Sequence, residues 1–144
     1  MSVKQISVFL ENKPGTLQGL CEALAADDID MRALSLAEAG DFGIARIIVN
    51  KLYNGIQTLK DAGFVCSITP VVAAAIPDNP GGLGTVLSTL SNTGNHIDYM
   101  YAFLGGSEAD HAYMIFKTAD PDKAAAVLEA NGIDVLEQAD IEAL

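Results

Sequence analysis

The chain has 144 residues, half of them hydrophobic and 19% charged, and sets 8 Lys and Arg against 19 Asp and Glu, a formal charge of 8 − 19 = −11. So apolar a chain, with no low-complexity tract, is not disordered, and so acidic a surface repels phosphate backbones, which excludes nucleic acid as a partner. The uncharged run Ala62 to Pro77 contains Ser67, Thr69 and Pro70 and is too short to cross a bilayer, so no membrane partner is expected.

Met1 to Phe9 carries Lys4 and Gln5 without a sustained apolar core or a small-residue cleavage pattern, so a secretory signal is not expected and the protein reads as cytoplasmic. Ile6 to Leu10 is a short apolar run ended by Asn12-Lys13-Pro14-Gly15, a strand turning into a helix. Leu17, Leu20, Cys21 and Leu24 then fall at i, i+3, i+4 and i+7, one apolar face to lay on a sheet. A second strand from Ile29 to Ala37, a turn at Glu38 to Asp41 and a third strand from Phe42 to Asn50 follow. A helix from Tyr53 to Ala62 ends at Gly63, and Phe64 to Thr69 is the fourth strand.

The same order then repeats. Pro77-Asp78-Asn79-Pro80-Gly81-Gly82-Leu83 echoes Glu11 to Leu17 about 66 residues later, and Leu83, Val86 and Leu90 echo Leu17, Leu20 and Leu24. Ile97-Asp98-Tyr99 resembles Ile29-Asp30-Met31, and Ala112 to Ile115 resembles Ala45 to Ile48. The second half thus reads as strand 71–76, helix 82–92, strand 96–104, a turn over 105–108, strand 111–117, helix 121–130 and strand 133–136. Asp120 before Pro121 is the signature of a capped helix start. Asn95 and His96 read as two residues added relative to the first half. Pro70 is the only punctuation, so residues 1–70 and 71–144 are expected to be two modules joined almost without a linker, as a rigid pair.

Strand, helix, strand, strand, helix, strand, twice, is α+β: two ferredoxin-like βαββαβ plaits in tandem, antiparallel sheets with helices on one face. Such plaits host unrelated functions, so the site residues must decide. An RNA-binding sheet would combine basic and aromatic residues on its central strands, whereas the third strands here read Ile44-Ala45-Arg46-Ile47 and Tyr113-Met114-Ile115-Phe116 in an acidic protein. The first loop has no paired cysteines for a metal, and Cys21 and Cys66, far apart and without a C-x-x-C, read as reduced buried thiols. His96 and His111 have no ligand or nucleophile at a recognisable spacing, and Gly81-Gly82-Leu83-Gly84 is no dinucleotide fingerprint. No catalytic constellation, metal site or cofactor is expected.

Asn12 to Leu17, Asp78 to Leu83, the leucine-spaced helices and Ile-Asp at the next strand together resemble a pair of ACT domains, the amino-acid-sensing modules attached to many enzymes of amino-acid metabolism. The resemblance covers nearly the whole chain. It implies a free-standing regulatory sensor for a free L-amino acid, bound where the loop after strand one meets the second strand of a neighbouring module. The ligand-binding residues are then Asn12, Lys13, Pro14, Gly15, Thr16, Leu17, Asp30 and Met31, with Asp78, Asn79, Pro80, Gly81, Gly82, Leu83, Asp98 and Tyr99 in the second half. It also leaves open a regulatory or scaffolding subunit docking on a biosynthetic enzyme such as acetolactate synthase.

The residues themselves support such a loop site. Pro14 fixes φ and Gly15 has no Cβ, so the chain turns tightly and can present first-turn N–H groups to a carboxylate, with Asp30 or Asp98 facing an α-ammonium. A purely structural reading, in which Pro-Gly makes the turn and the Asn side chains cap the helix, stays open at this stage. Leu17, Ile29, Met31, Leu83, Ile97 and Tyr99 suggest a neutral apolar or aromatic ligand. Ile47 to Val49, Ala33 to Leu36, Tyr99 to Leu104 and Met114 to Phe116 supply apolar side chains to both faces of the sheets, so a homodimer through the helix-free faces or the edges beside them is expected.

Overall fold

The structure is a computed structural model that describes residues 2–103 and 111–144. It divides into two compact units, the first Lys4–Thr69 and the second Met1–Val3 with Pro70–Leu144. Together they have the α+β, tandem ferredoxin-like architecture that the repeat predicts.

In the first unit the elements are β1 (Val3–Glu11), α1 (Thr16–Ala26), β2 (Met31–Ala39), β3 (Phe42–Val49), α2 (Leu52–Asp61) and the opening half of β4 (Val65–Pro77). The strands lie in the order β2, β3, β1, β4. Antiparallel register sets Ile6 opposite Ile47 and Leu10 opposite Gly43. Because side chains alternate along a strand, Ile6, Val8 and Leu10 share a face with Ala45, Ile47 and Val49 and bury against Leu20 and Leu24 of α1 and Leu52 and Leu59 of α2. On the opposite face Gln5 is buried and donates to Ser7 Oγ at 2.9 Å, and Ser7 Oγ shares a 2.9 Å hydrogen bond with Thr69 Oγ1.

The second unit has the rest of β4, α3 (Gly82–Asn92), β5 (Ile97–Ala102), β6 (His111–Thr118), α4 (Pro121–Ala130), β7 (Asp134–Leu136) and α5 (Gln138–Ala143). β4 pairs with β7 on one side and β6 on the other, and β6 pairs with β5. Val72, Ala74, Ile76 and Phe116 pack on Val86 and Leu90 of α3 and on Ala124, Ala125 and Leu128 of α4. The α4 start behaves as its sequence predicts: the Asp120 side chain accepts from Lys123 N at 3.1 Å with Pro121 in the first turn. Asp120→Ala should lower the unfolding free energy by about 1 kcal/mol, measured by urea denaturation.

Several boundaries differ from the sequence reading. β4 runs unbroken through Pro70, because proline's fixed φ suits extended backbone and only its missing donor must be tolerated. β2 starts at Met31 rather than Ile29, whose N–H instead closes α1 on Leu24 O at 3.0 Å, and it runs to Ala39, so only Gly40 and Asp41 turn. α2 is Leu52–Asp61, one residue earlier than expected, and β7 begins at Asp134. α5 is absent from the sequence reading; its signal is the reciprocal capping box of Glu137 and Asp140 ahead of the buried Ile141. Leu104 and the turn expected over 105–108 lie outside the described residues.

The repeat itself needs two corrections: Ala112 stands opposite Ile76 as Gly43 stands opposite Leu10, so Ala112 corresponds to Gly43 rather than to Ala45, and the start of β5 is displaced as well. Asn95 N donates to Leu90 O at 2.9 Å just as Ile29 N donates to Leu24 O, so Asn95 corresponds to Ile29 and no two-residue addition precedes β5. Leu10 faces Gly43 and Ile76 faces Ala112, separations of 43 − 10 = 33 and 112 − 76 = 36, so the three extra residues fall later, between β5 and β6. Asp98 is therefore two residues past the position of Asp30.

The apolar faces that seemed to require a partner are largely covered within one chain. Ile48, Ala33, Val71, Ala73 and Ile115 are all 0% exposed, and Tyr101 and Tyr113 are buried as well. What remains open on the helix-free side of the first unit is smaller: Phe9, Phe42 and Val65, exposed by 50%, 55% and 67%.

Candidate functional site

Both Pro-Gly loops end in a helix whose N-cap is a glycine in the left-handed region, Gly15 at φ 90° and Gly81 at φ 87°. L-residues with a Cβ rarely adopt that backbone, which is why glycine stands at both places. Neither α1 nor α3 has a side-chain cap. The Asn12 amide does not cap α1; it donates to Gly40 O at 3.0 Å, while Asn12 N donates to Asp41 O at 2.8 Å, tying the loop to the β2–β3 turn. The first N–H groups of each helix have no intrahelical acceptor and carry the positive end of the helix dipole, so each loop presents a site suited to a carboxylate.

The loops are built differently behind that common front. In the first, Thr16 Oγ1 donates to Glu11 O at 2.8 Å and to Lys13 O at 3.1 Å. Lys13 Nζ meets Glu11 Oε2 at 2.8 Å, and this hydrogen bond, with the charge behind it, holds the Glu11 carboxyl below its ordinary range and the Lys13 ammonium above its own. Both side chains are exposed, so the pair fixes loop geometry more than it stabilises the fold. In the second loop Gly82 takes the place of Thr16 and its N–H donates to Asn79 O at 3.0 Å. A Cβ on Gly82 would lie 2.2 Å from Pro77 O, so the chain closes more tightly than any other residue allows.

A cavity of about 390 Å³ in the first unit is lined by Asn12, Lys13, Gly15, Thr16 and Leu17 together with Leu10, Leu36, Glu38 and Gly43. A cavity of about 500 Å³ in the second is lined by Asn79, Pro80, Gly81 and Gly82 together with Thr85, Thr89, His111, Asn131 and Asp134. Pro14, Asp78 and Leu83 belong to the loops but do not line these cavities; Leu83 packs on the second core.

Asp30, Met31, Asp98 and Tyr99 lie elsewhere in their units. β2 starts beside Asp30, and the loop end of the sheet is at Ala39, roughly 26 Å away at about 3.3 Å per residue. Asp30 Oδ2 meets Arg32 Nη1 at 2.6 Å, and its backbone N–H donates to Asn50 Oδ1 at 2.9 Å. Asp98 is 3.6 Å from Lys117 Nζ and 4.0 Å from His96 Nε2. Met31 packs on the first core, and Tyr99 stacks on Tyr101 with ring centroids 6.5 Å apart. Ile29 and Ile97, which suggested an apolar ligand, also lie outside both cavities.

Thr85, Thr89, His111, Asn131 and Asp134 line the second unit's cavity but are not among the residues that the sequence singles out as ligand-binding. The threonines carried a signal in their i, i+4 spacing along α3. Among the described residues no group of three or more His, Cys, Asp or Glu is placed to hold a metal ion. Cys21 and Cys66 are free thiols, partly rather than fully buried, and burial pushes the Cys66 thiol up, away from the reactive thiolate.

The ACT domain pair family matches residues 1–144. The chain belongs to this family. ACT domains are regulatory modules of amino-acid metabolism. The pair is also similar to a Bacteroides thetaiotaomicron protein of known crystal structure, 39% identical, with a TM-score of 0.91 over 100% of this chain and 98% of that one. The ligand-free regulatory subunit of aspartate kinase from Thermus thermophilus shares the ACT fold at 14% identity and a TM-score of 0.65, covering 88% of this chain and 90% of that one. The corresponding subunit from Thermus flavus gives 14%, 0.60 and the same coverages. No curated protein matches the chain.

Proposed function

We propose that this ACT pair is a non-enzymatic sensor that binds a free L-amino acid at the loops following β1 and within the turn from β4 to α3. The observation that carries the reading is the duplicated arrangement of a left-handed glycine N-cap and a helix start without a side-chain cap, with a cavity against each loop, on the β2–β3 side in the first unit and beside the end of α4 in the second. An α-carboxylate would accept from the first-turn N–H groups of α1 or α3, and Asn12, Lys13, Asn79 and the neighbouring polar side chains would hold the rest. Thermal-shift screening of the twenty amino acids tests it: a ligand-dependent rise in melting temperature is expected, and no shift at millimolar concentration overturns it.

Asp30, Met31, Asp98 and Tyr99 would contribute only to a loop presented by a neighbouring module, as the family resemblance implies, and a homodimer could supply one. The exposed Phe9, Phe42 and Val65 favour such pairing. Sedimentation equilibrium should show self-association that Phe42→Ser weakens; a monomer at all concentrations, with and without amino acid, contradicts it. Docking on a biosynthetic enzyme is the second reading, favoured by the same exposed patch, and a catalytic subunit co-purifying from native cells would support it.

A further inference from the structure

The two units carry equivalent hollows on the side of the loop that faces the carboxyl end of the second helix, and side-chain chemistry separates them. Phe64 N donates to Leu59 O at 2.9 Å behind Gly63, and Ile133 N donates to Leu128 O at 3.0 Å behind Gly132, so Phe64 and Ile133 hold the same place. In the first unit the Phe64 ring covers α1: a Cβ on Gly19 would lie 3.9 Å from Phe64 Cζ. The hollow left there is about 360 Å³, reaches α1 only at Thr16, and is walled by Phe9, Phe42, Phe64 and Val65.

In the second unit the smaller Ile133 leaves α3 uncovered, and the hollow extends to about 500 Å³ along the helix as far as Thr89. Alanine, histidine and aspartate, at Ala75, His111 and Asp134, stand where the first unit has Phe9, Phe42 and Val65. Thr85 Oγ1 donates to Gly81 O at 3.1 Å and Thr89 Oγ1 donates to Thr85 O at 3.0 Å. Each hydroxyl has thereby spent its one proton on the helix and turns an acceptor oxygen toward a ligand. The loop end of this cavity has the uncapped start of α3, suited to a carboxylate, and the wall along α3 has the threonine acceptors, suited to N–H or O–H donors.

We propose that the second unit's cavity is a site for a small amino acid with a hydroxyl or carboxamide side chain, and that Phe64 makes the equivalent place in the first unit unsuited to it. This rests on the amino-acid-sensor reading and adds which unit is used and what class of side chain it selects. A site whose polar groups are satisfied by a ligand's hydroxyl or amide discriminates against the isostere that lacks them.

Calorimetry on the whole chain with two isosteric pairs, L-threonine against L-valine and L-asparagine against L-leucine, tests it. The polar member of at least one pair should bind about tenfold or more tightly than its apolar isostere. Ile133→Phe, which places the first unit's ring over α3, should weaken that binding about tenfold or more, and Thr89→Val, which keeps shape and removes the acceptor, should weaken it severalfold with an unchanged melting curve. Apolar members binding as well as their polar partners, or a polar ligand's affinity unchanged in both folded variants, overturns the assignment while leaving the sensor reading in place. No heat from any of the twenty amino acids overturns the sensor reading itself, and this inference with it.

Discussion

Gly82→Ala should destabilise the second unit by about 2–4 kcal/mol, a large effect for a single methyl group at the start of a helix. The added Cβ would sit 2.2 Å from Pro77 O and 3.0 Å from Asn79 Oδ1, and the nearer atom is backbone, which cannot rotate away. Relief requires the turn from Pro77 to Gly82 to open, at the cost of the Gly82 N to Asn79 O hydrogen bond. Gly84→Ala is the matched control two residues on: a Cβ there meets nothing within 4 Å, so alanine should stabilise the helix by about 0.5–1 kcal/mol. Urea denaturation of both variants checks the pair. Equal effects at the two positions would show that helix propensity, rather than the closeness of the turn, governs this loop.

Gly15→Val and Gly81→Val should each cost about 1–3 kcal/mol in stability and weaken amino-acid binding at their own loop by about tenfold or more. A branched Cβ would enter the space in which the backbone must approach a ligand, and the backbone adds a second cause: nothing in the protein lies within 4 Å of a Cβ at either position, but both glycines sit near φ +90°, where a β-branched residue is a genuine outlier. To relax, valine must move the N-cap out of the left-handed region and re-aim the first-turn N–H groups with it. Gly15→Asn is then the informative companion, since asparagine tolerates positive φ and should largely retain both fold and affinity. If valine and asparagine behave alike in titration calorimetry, backbone conformation is not what shapes the site.

The features legible in sequence are those with a local physical cause. Leucine spacing located α1 and α3 because a helix must bury one stripe, and Pro-Gly located both loops because positive φ leaves little else available. The pairing of Ile29-Asp30 with Ile97-Asp98 slipped by two residues, and a slip of two preserves which face of a strand each side chain occupies, so hydrophobic pattern alone could not expose it. The hydrogen bonds of Ile29 N and Asn95 N fix the correspondence, and the register shifts between Met31 and Ala33 and between Ile97 and Tyr99 agree with it. Distances along a strand were equally invisible: Asp30 is close to the loop in a motif and a full strand away in the fold. The contrast between Phe64 and Ile133 could be seen only once both were known to stand at the same corner, one against Gly19 and one leaving Thr85 and Thr89 open.

Two-dimensional amide NMR of the labelled chain, titrated with each of the twenty amino acids, tests the sensor reading most directly, because it reports both binding and place. For at least one amino acid, saturable shifts should centre on Asn12 to Gln18 or on Asn79 to Val86, including the first-turn amides of α1 or α3. Saturable shifts centred instead on the Asp30 or Asp98 ends of the sheets, or no saturable shift at millimolar concentration, would contradict it.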